Sequence, residues 1–207
     1  MSKVLNINET FQASQIDFGI PKKGQDNKLF ISLGLKTDEE SPVSNFLCQF
    51  SKTSATHEIV NTNIEVGITK DISEYVSDIE EKLLDEMKAH KSEWFPDKEI
   101  SDSYLEGAFM SVLRNAKRQS FFKGRVADNC QIYDNRREEI ELSSITKDNI
   151  ISLIIHISGV WFSKTRCGLT MKVCQIKLHD NPKIVKGTCL FEDDDEIDEM
   201  DFPDHAE

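Results

Sequence analysis

The sequence predicts a mainly β protein, an OB-fold-like five-stranded barrel with an amphipathic helix between strands and a disordered acidic C-terminal tail. Three observations predict this class. Short β-rich runs alternate with turn-rich segments, only one long segment has a clear helical period, and acidic residues collect at the end of the chain. A β-sandwich of another kind fits the strand pattern almost as well at this stage.

The first third of the chain is predicted to contain strands. We expect them at residues 16–20, as a short edge strand, and at residues 28–35, 44–50 and 58–68. The turn-rich segments 21–27 and 37–42 separate the first three of these strands. Counting the last three as the main strands, the helix falls between the third and the fourth, as in an OB fold.

The clearest helix is predicted over residues 71–90. Its apolar residues fall on one face at helical spacing: Ile72, Tyr75, Val76, Ile79, Leu83, Leu84 and Met87. Asp71 or Ser73 is the expected N-cap, because short polar side chains satisfy the first free N–H groups. Trp94 and Phe95 follow, and we expect both rings in the core. Residues 103–115 fit a short helix or a strand.

The second half of the chain is predicted to form strands at residues 119–126 and 130–133 and a long hairpin over residues 150–178. Alternation puts five apolar side chains of the first hairpin strand on one face: Ile151, Leu153, Ile155, Ile157 and Trp161. Residues 163–168 form the turn, where Gly168 is expected to supply a positive φ. The tip would then present Trp161, Phe162, Lys164 and Arg166 together.

Charge divides the chain into a body, residues 1–190, and a tail, residues 191–207. The net charge is −12 over 207 residues. Residues 192–207 hold 10 acidic residues and no Lys or Arg, whereas residues 103–190 hold 14 Lys and Arg against 8 Asp and Glu. A basic surface followed directly by an acidic segment indicates electrostatic binding more strongly than the total charge does.

Aromatic rings beside cations are typical of surfaces that bind single-stranded nucleic acid, through base stacking and phosphate contacts. Bases are expected on Trp161, Phe162 and Phe121. Phosphates are expected on Lys123, Arg125, Lys164, Arg166 and Lys172, with Arg114, Lys117 and Arg118 extending the path. A core position for Trp161 is about equally compatible with the composition. Phe121 and Phe122 point to opposite faces, so one of them is expected in the core.

Several segments resemble the single-stranded-DNA-binding proteins of large nucleo-cytoplasmic DNA viruses, which are themselves similar to that of short-tailed phages. The similar segments are Gly159-Val160-Trp161-Phe162, Gly168-Leu169-Thr170-Met171-Lys172-Val173, Gln175-Ile176-Lys177 and Ile132-Tyr133-Asp134, with an acidic tail that holds Phe202. The resemblance implies an OB fold, binding without strong sequence preference and a homodimer. It also implies an expected place of action, in the infected host cell at the site of viral DNA replication, nuclear or cytoplasmic.

The same resemblance implies a role in viral DNA replication and recombination, with a tail that competes with DNA and docks replication enzymes of the polymerase or helicase type. The tail residues concerned are Glu192, Asp193, Asp194, Asp195, Glu196, Asp198, Glu199, Asp201 and Phe202. Phage-type tails end on the aromatic residue, whereas residues 203–207 follow Phe202 here.

Other functional classes receive less support. The sequence lacks the phosphate-binding, hydrolase and zinc-protease motifs, so we expect no enzyme and no cofactor. Cys167, Cys174 and His179 lack zinc-finger spacing, and His156 is expected to be structural. Five scattered cysteines, no membrane-length apolar run and no signal peptide predict a non-secreted, reduced protein. The remaining alternative is a histone-chaperone-like or other protein-binding β-domain with an acidic tail.

Overall fold

The computed structural model describes residues 4–6, 15–24, 28–36, 45–59, 62–96, 99–116 and 119–179. These residues form eleven strands and two α-helices. In chain order they are β1 (Val4–Asn6), β2 (Ile16–Phe18), β3 (Lys22–Lys23), β4 (Leu29–Leu35), β5 (Leu47–Ala55), β6 (Asn63–Ile68), α1 (Lys70–Trp94), α2 (Asp102–Ala108), β7 (Phe109–Met110), β8 (Leu113–Ala116), β9 (Gln119–Tyr133), β10 (Ile150–Phe162) and β11 (Cys167–Leu178).

Five of the strands close into a barrel. They follow one another in the order β5-β6-β9-β11-β10, and β10 pairs again with β5 to complete the ring. β9 and β11 are parallel, whereas the other four pairings of the ring are antiparallel. The ring therefore has the strand order first, second, third, fifth, fourth, which is that of an OB-fold barrel. The predicted fold class is confirmed, and the sandwich alternative is excluded.

The position of the helix in the barrel differs from the expectation. α1 follows β6, as predicted, but β6 is only the second strand of the ring. The reason is that β4 lies outside the ring, where it pairs with the outer end of β10 at residues 159–162. β2 and β3 pair with β4 in turn, so that β2, β3 and β4 form a ribbon beside the barrel. We call these three strands the outer ribbon.

α1 is a 25-residue helix, longer than predicted at both ends. Thr69 is its N-cap, since its hydroxyl accepts a hydrogen bond from the Ile72 backbone N–H, so the expectation of Asp71 or Ser73 was wrong. The predicted apolar face is buried except for Leu84, which is partly buried and packs against the core, and Trp94 at the end of the helix joins the core. Neither described helix is long and apolar enough to cross a membrane.

The segment predicted as helix or strand contains both. α2 covers its first part, β7 pairs with the start of β11, and β8 pairs with β9. β9 joins the two strands predicted at residues 119–126 and 130–133 into one strand of 15 residues. The strands predicted at residues 44–50 and 58–68 were displaced, because β5 continues to Ala55 and β6 begins only at Asn63.

The predicted face of Trp161 was wrong, because β10 does not alternate regularly to its end. Ile151, Leu153, Ile155 and Ile157 point into the core, as expected. A register shift between Ile157 and Gly159 then exchanges the two faces of the strand. Val160 and Phe162 are buried after this bulge, and Trp161 lies on the outer face, only partly buried.

Gly168 is needed for a different reason from the predicted one. Its φ lies outside the left-handed region, so no positive φ is required. A Cβ atom at this position would lie 2.8 Å from the carbonyl oxygen of Met110 and 3.3 Å from Cζ2 of Trp161. The hairpin turn itself is closed by the Ser163 backbone N–H, which donates to the carbonyl of Arg166 at 2.7 Å. Gly168 therefore allows the Trp161 ring to approach the backbone of β11.

Candidate nucleic-acid interface

A groove of about 950 Å³ runs along the outer face of the barrel beside Trp161, and we call it the Trp161 groove. It lies where OB folds bind oligonucleotides, at the second and third barrel strands and the connection that precedes them. Its lining residues are Lys28, His57, Asn63, Ile64, Glu65, Val112, Lys123, Gly124, Arg125, Trp161, Leu169, Thr170 and Met171. The groove combines one large ring with several cations.

The Trp161 ring is fixed on the sheet surface. Its Nε1–H donates a hydrogen bond to the carbonyl oxygen of Leu169 at 3.2 Å, and its benzene edge lies close to Gly168. The ring is partly buried and does not belong to the hydrophobic core. A rigid, partly exposed indole of this kind is suited to stack against a base, since little side-chain entropy is lost on binding.

Two cations stand side by side across the barrel strands. The registers place Arg125 of β9 between Asn63 of β6 and Lys172 of β11, and Lys172 lies opposite His156 of β10. Burial and the charge of Lys172 both lower the pKa of His156. The positive charge of this row comes from the exposed side chains of Arg125 and Lys172, and neither has an acidic partner among the described residues.

Glu65 places a negative charge inside the groove. Its carboxylate accepts a hydrogen bond from Nη2 of Arg114 at 2.7 Å, and Nζ of Lys123 lies 3.8 Å away. Burial alone would raise the pKa of Glu65, but the hydrogen bond from Arg114 and the positive charges nearby hold it below its usual value. Glu65 thus partly neutralises two cations that were predicted to bind phosphate.

Phe121 lies on the outer face of β9, and Phe122 lies in the core. Phe122 is fully buried and contacts the Phe50 ring edge-on, which confirms that the two neighbours point to opposite sides. The guanidinium carbon of Arg114 lies 4.4 Å from the centroid of the Phe121 ring, a cation–π arrangement. Arg114 therefore already covers one face of the Phe121 ring, so a base could stack as predicted only on the other face.

Phe162 was predicted to stack on bases, and its position contradicts this. The side chain is 7% exposed and packs edge-on against the rings of Trp94 and Phe95, with centroid distances of 6.2 and 5.1 Å. A ring enclosed by α1 and the segment after it has no free face for a base. The bulge that brings Trp161 to the surface sends its neighbour into the core.

Lys164 and Arg166 belong to a second surface, which we call the tip groove. This groove of about 930 Å³ lies between the hairpin turn, α2 and the end of α1, and its floor includes Phe95, Leu105 and Phe162. Here the Tyr104 hydroxyl donates to the carbonyl of Lys164 at 2.9 Å, and Nη1 of Arg166 contacts Sδ of Met110 at 3.6 Å. The predicted single cationic site is therefore divided between two grooves.

One buried carboxylate supports the wall of the Trp161 groove. Glu80 of α1 accepts hydrogen bonds from the Ser111 hydroxyl at 2.7 Å and from the Val112 backbone N–H at 2.8 Å. Burial raises the pKa of Glu80, although both hydrogen bonds act in the opposite direction. The Val112 carbonyl in turn accepts from the Lys123 backbone N–H, so Glu80 connects α1 to the strand that carries the groove cations.

Some predicted residues lie outside the described part of the chain. They are Lys117, Arg118 and the tail residues Glu192, Asp193, Asp194, Asp195, Glu196, Asp198, Glu199, Asp201 and Phe202. In the other direction, sequence reasoning missed Lys28, His57 and Glu65 as groove residues. Lys28 immediately precedes β4, His57 follows β5 and Glu65 lies on β6, so no local pattern joins them.

Residues 54–192 match a family described as "Family of unknown function (DUF5871)". The chain belongs to this family. The family region contains every barrel strand from β6 onward together with α1, and therefore most of the Trp161 groove. The outer ribbon, with Lys28, precedes it. No curated protein matches the sequence.

Three solved structures are similar to this chain over most of its length. The first is gp2.5, a single-stranded DNA-binding protein encoded by bacteriophage T7, with 14% identity, coverage of 78% of this chain and 100% of that chain, and a TM-score of 0.49. The single-stranded DNA-binding protein from bacteriophage Enc34 shows 12% identity, 84% and 96% coverage and a TM-score of 0.45. Its complex with ssDNA shows 11% identity, 78% and 95% coverage and a TM-score of 0.45. At such identities a likeness of fold does not transfer the roles of individual residues.

Proposed function

We propose that this protein binds single-stranded DNA in the Trp161 groove. The observation that carries the proposal is the position of a fixed, partly exposed indole beside Arg125 and Lys123, on the face of an OB-type barrel that suits an extended strand. A base stacks on Trp161, while Arg125, Lys123 and Lys172 meet phosphates. Because every base has a π face, binding of this kind shows little sequence preference.

The direct test is the affinity of Trp161→Ala for oligo(dT). Loss of one stacked base should weaken binding by about 1–3 kcal/mol, and Trp161→Phe should retain part of this stacking contribution. The matched control is Tyr133→Ala, which removes another partly buried ring from the opposite end of the barrel wall. If Trp161→Ala binds normally but unfolds at a lower temperature, the ring is a packing residue and the proposal fails.

The cellular role that we propose is coating of single-stranded DNA during viral DNA replication and recombination in the infected host cell. Its support is the resemblance of the hairpin segments, Gly159 to Phe162 and Gly168 to Val173, to the proteins of large nucleo-cytoplasmic DNA viruses. On the same basis we propose a homodimer and a tail that docks polymerase-type or helicase-type partners. Sedimentation of the purified chain tests the dimer independently of DNA binding.

The tail is proposed to compete with DNA for the basic surface. Residues 192–207 carry 10 acidic residues, and their covalent attachment gives them an effective concentration in the millimolar range for a short linker. Deletion of residues 192–207 should tighten binding to short oligo(dT), and the gain should shrink as salt screens the competition. Tighter binding by the truncated protein would also favour binding of single-stranded DNA over a histone-chaperone-like function. Unchanged affinity at low salt would show that the tail does not compete with DNA. No detectable binding of oligo(dT) would favour the histone-chaperone-like module.

A further inference from the structure

The outer ribbon presents a second ring next to Trp161. In the register of β4 and β10, Phe30 lies directly opposite Trp161, and in the register of β3 and β4 it lies opposite Lys22. Opposite residues of an antiparallel pair project to the same face, with Cβ atoms roughly 4.5–5.5 Å apart. Phe30 is partly buried and is not among the residues of the core or packed against it. Both rings therefore lie on one outer surface.

Each of the two rings approaches the backbone at a glycine. A Cβ at Gly159 would lie 2.3 Å from Cζ of Phe30, and a Cβ at Gly168 would lie 3.3 Å from Cζ2 of Trp161. Any other residue at Gly159 would displace the Phe30 ring, since 2.3 Å is far shorter than a van der Waals contact. Two glycines on neighbouring strands thus hold two partly exposed aromatic rings against the sheet.

Cations accompany the second ring as they accompany the first. Lys22, directly across from Phe30, is exposed, and Lys28, two residues before Phe30, lines the Trp161 groove. Lys28 immediately precedes β4, so the groove extends from the barrel to the start of the outer ribbon. The ribbon lies outside the five-stranded ring and precedes the residues that match the family.

We infer that the outer ribbon extends the binding site for single-stranded nucleic acid, with Phe30 stacking a second base beside the one on Trp161 and Lys22 and Lys28 meeting its phosphates. This inference rests on the proposed function, because Trp161 provides the first position. The strand then crosses from the barrel wall onto β4 and β3. The site is accordingly longer than the barrel alone would provide.

The test measures affinities for oligo(dT) of increasing length with three variants of Phe30. Phe30→Ala and Phe30→Leu should each bind long oligonucleotides about 5-fold to 150-fold more weakly, the loss of one stacked base, whereas Phe30→Tyr should bind like the wild type. Leucine retains apolar contact with Gly159 but has no π face, so a packing role would be rescued by leucine and a stacking role would not. The shortest oligonucleotide that reaches full affinity should become shorter in Phe30→Ala. Tyr133→Ala is the control.

Each outcome decides between the two proposals. If Phe30→Leu binds like the wild type while Trp161→Ala binds weakly, the extension onto the ribbon is wrong and the Trp161 groove stands. If neither variant binds more weakly, the proposed function itself is wrong. A change of oligomeric state in Phe30→Ala with unchanged affinity would make the ribbon a contact between copies of this chain, and would also overturn the inference.

Discussion

Trp161 and Phe162 are neighbours in the chain and lie in opposite environments. Trp161 is on the outer face, hydrogen-bonded to the backbone of β11, while Phe162 is enclosed by Trp94 and Phe95. The register shift between Ile157 and Gly159 decides which of the two is exposed. One bulge therefore brings one ring to the proposed binding surface and the next into the core.

The cations show the same division. Lys123 and Arg125 line the Trp161 groove, whereas Lys164 and Arg166 line the tip groove on the other side of the hairpin end. Composition alone groups all four as one basic site. Both grooves include buried apolar side chains in their linings, Leu105 and Phe162 in the tip groove and Leu169 and Met171 in the Trp161 groove, so they differ in the elements that form them and not in the polarity of their floors.

The largest expected effect belongs to Phe162→Ala. Removal of a ring packed between α1 and the barrel should lower the free energy of unfolding by about 3–5 kcal/mol, as for other buried aromatic residues. The folded fraction should still bind oligo(dT). Urea unfolding gives the first quantity and titration below the unfolding transition gives the second. A variant of normal stability that fails to bind would place Phe162 in the site after all.

The charge pairs are expected to separate by their salt dependence. Each phosphate neutralised on a single strand contributes about 0.7 to the slope of log affinity against log salt. The double variant Lys123→Ala, Arg125→Ala should therefore lower the magnitude of this slope by about 1.4. Lys164→Ala with Arg166→Ala removes the same charge from the tip groove and should change it less. Equal reductions would show that one strand contacts both grooves.

Glu65→Gln is expected to have a smaller effect of the opposite sign. The substitution removes the negative charge that faces Arg114 and Lys123, so affinity for oligo(dT) should increase, and more so at low salt. The Gln side chain still offers an oxygen to Arg114. Weaker binding would mean that Glu65 serves mainly to position those cations. A matched measurement on Glu58→Gln, an exposed acid on the connection before β6, controls for net charge.

Much of the fold could be predicted because its signals are local. The helical period of α1, the alternation of β10 up to Ile157 and the turn after Phe162 each lie within a few residues. The closing of the ring by β5 and β10 and the exclusion of β4 from it depend on pairings far apart in the chain. Local patterns do not contain that information.

The candidate site was predicted less completely than the fold. Lys123 and Arg125 could be found because they alternate on one strand, and Trp161 stood out as a ring among cations. Phe162 was misplaced, because no composition rule reveals the bulge before it. Phe30 and Lys28 were missed, since only the pairing of β4 with β10 brings them beside Trp161.

Contact between Trp161 and nucleic acid can be followed through the fluorescence of Trp161 during titration with oligo(dT). The chain has two tryptophans, and Trp94 is only 6% exposed, so Trp94→Phe isolates the emission of Trp161. Stacking of a base on the indole should quench this emission in proportion to binding, and Trp161→Phe should show no such change. Saturable binding of oligo(dT) with unaltered Trp161 emission would show that no base stacks on the indole.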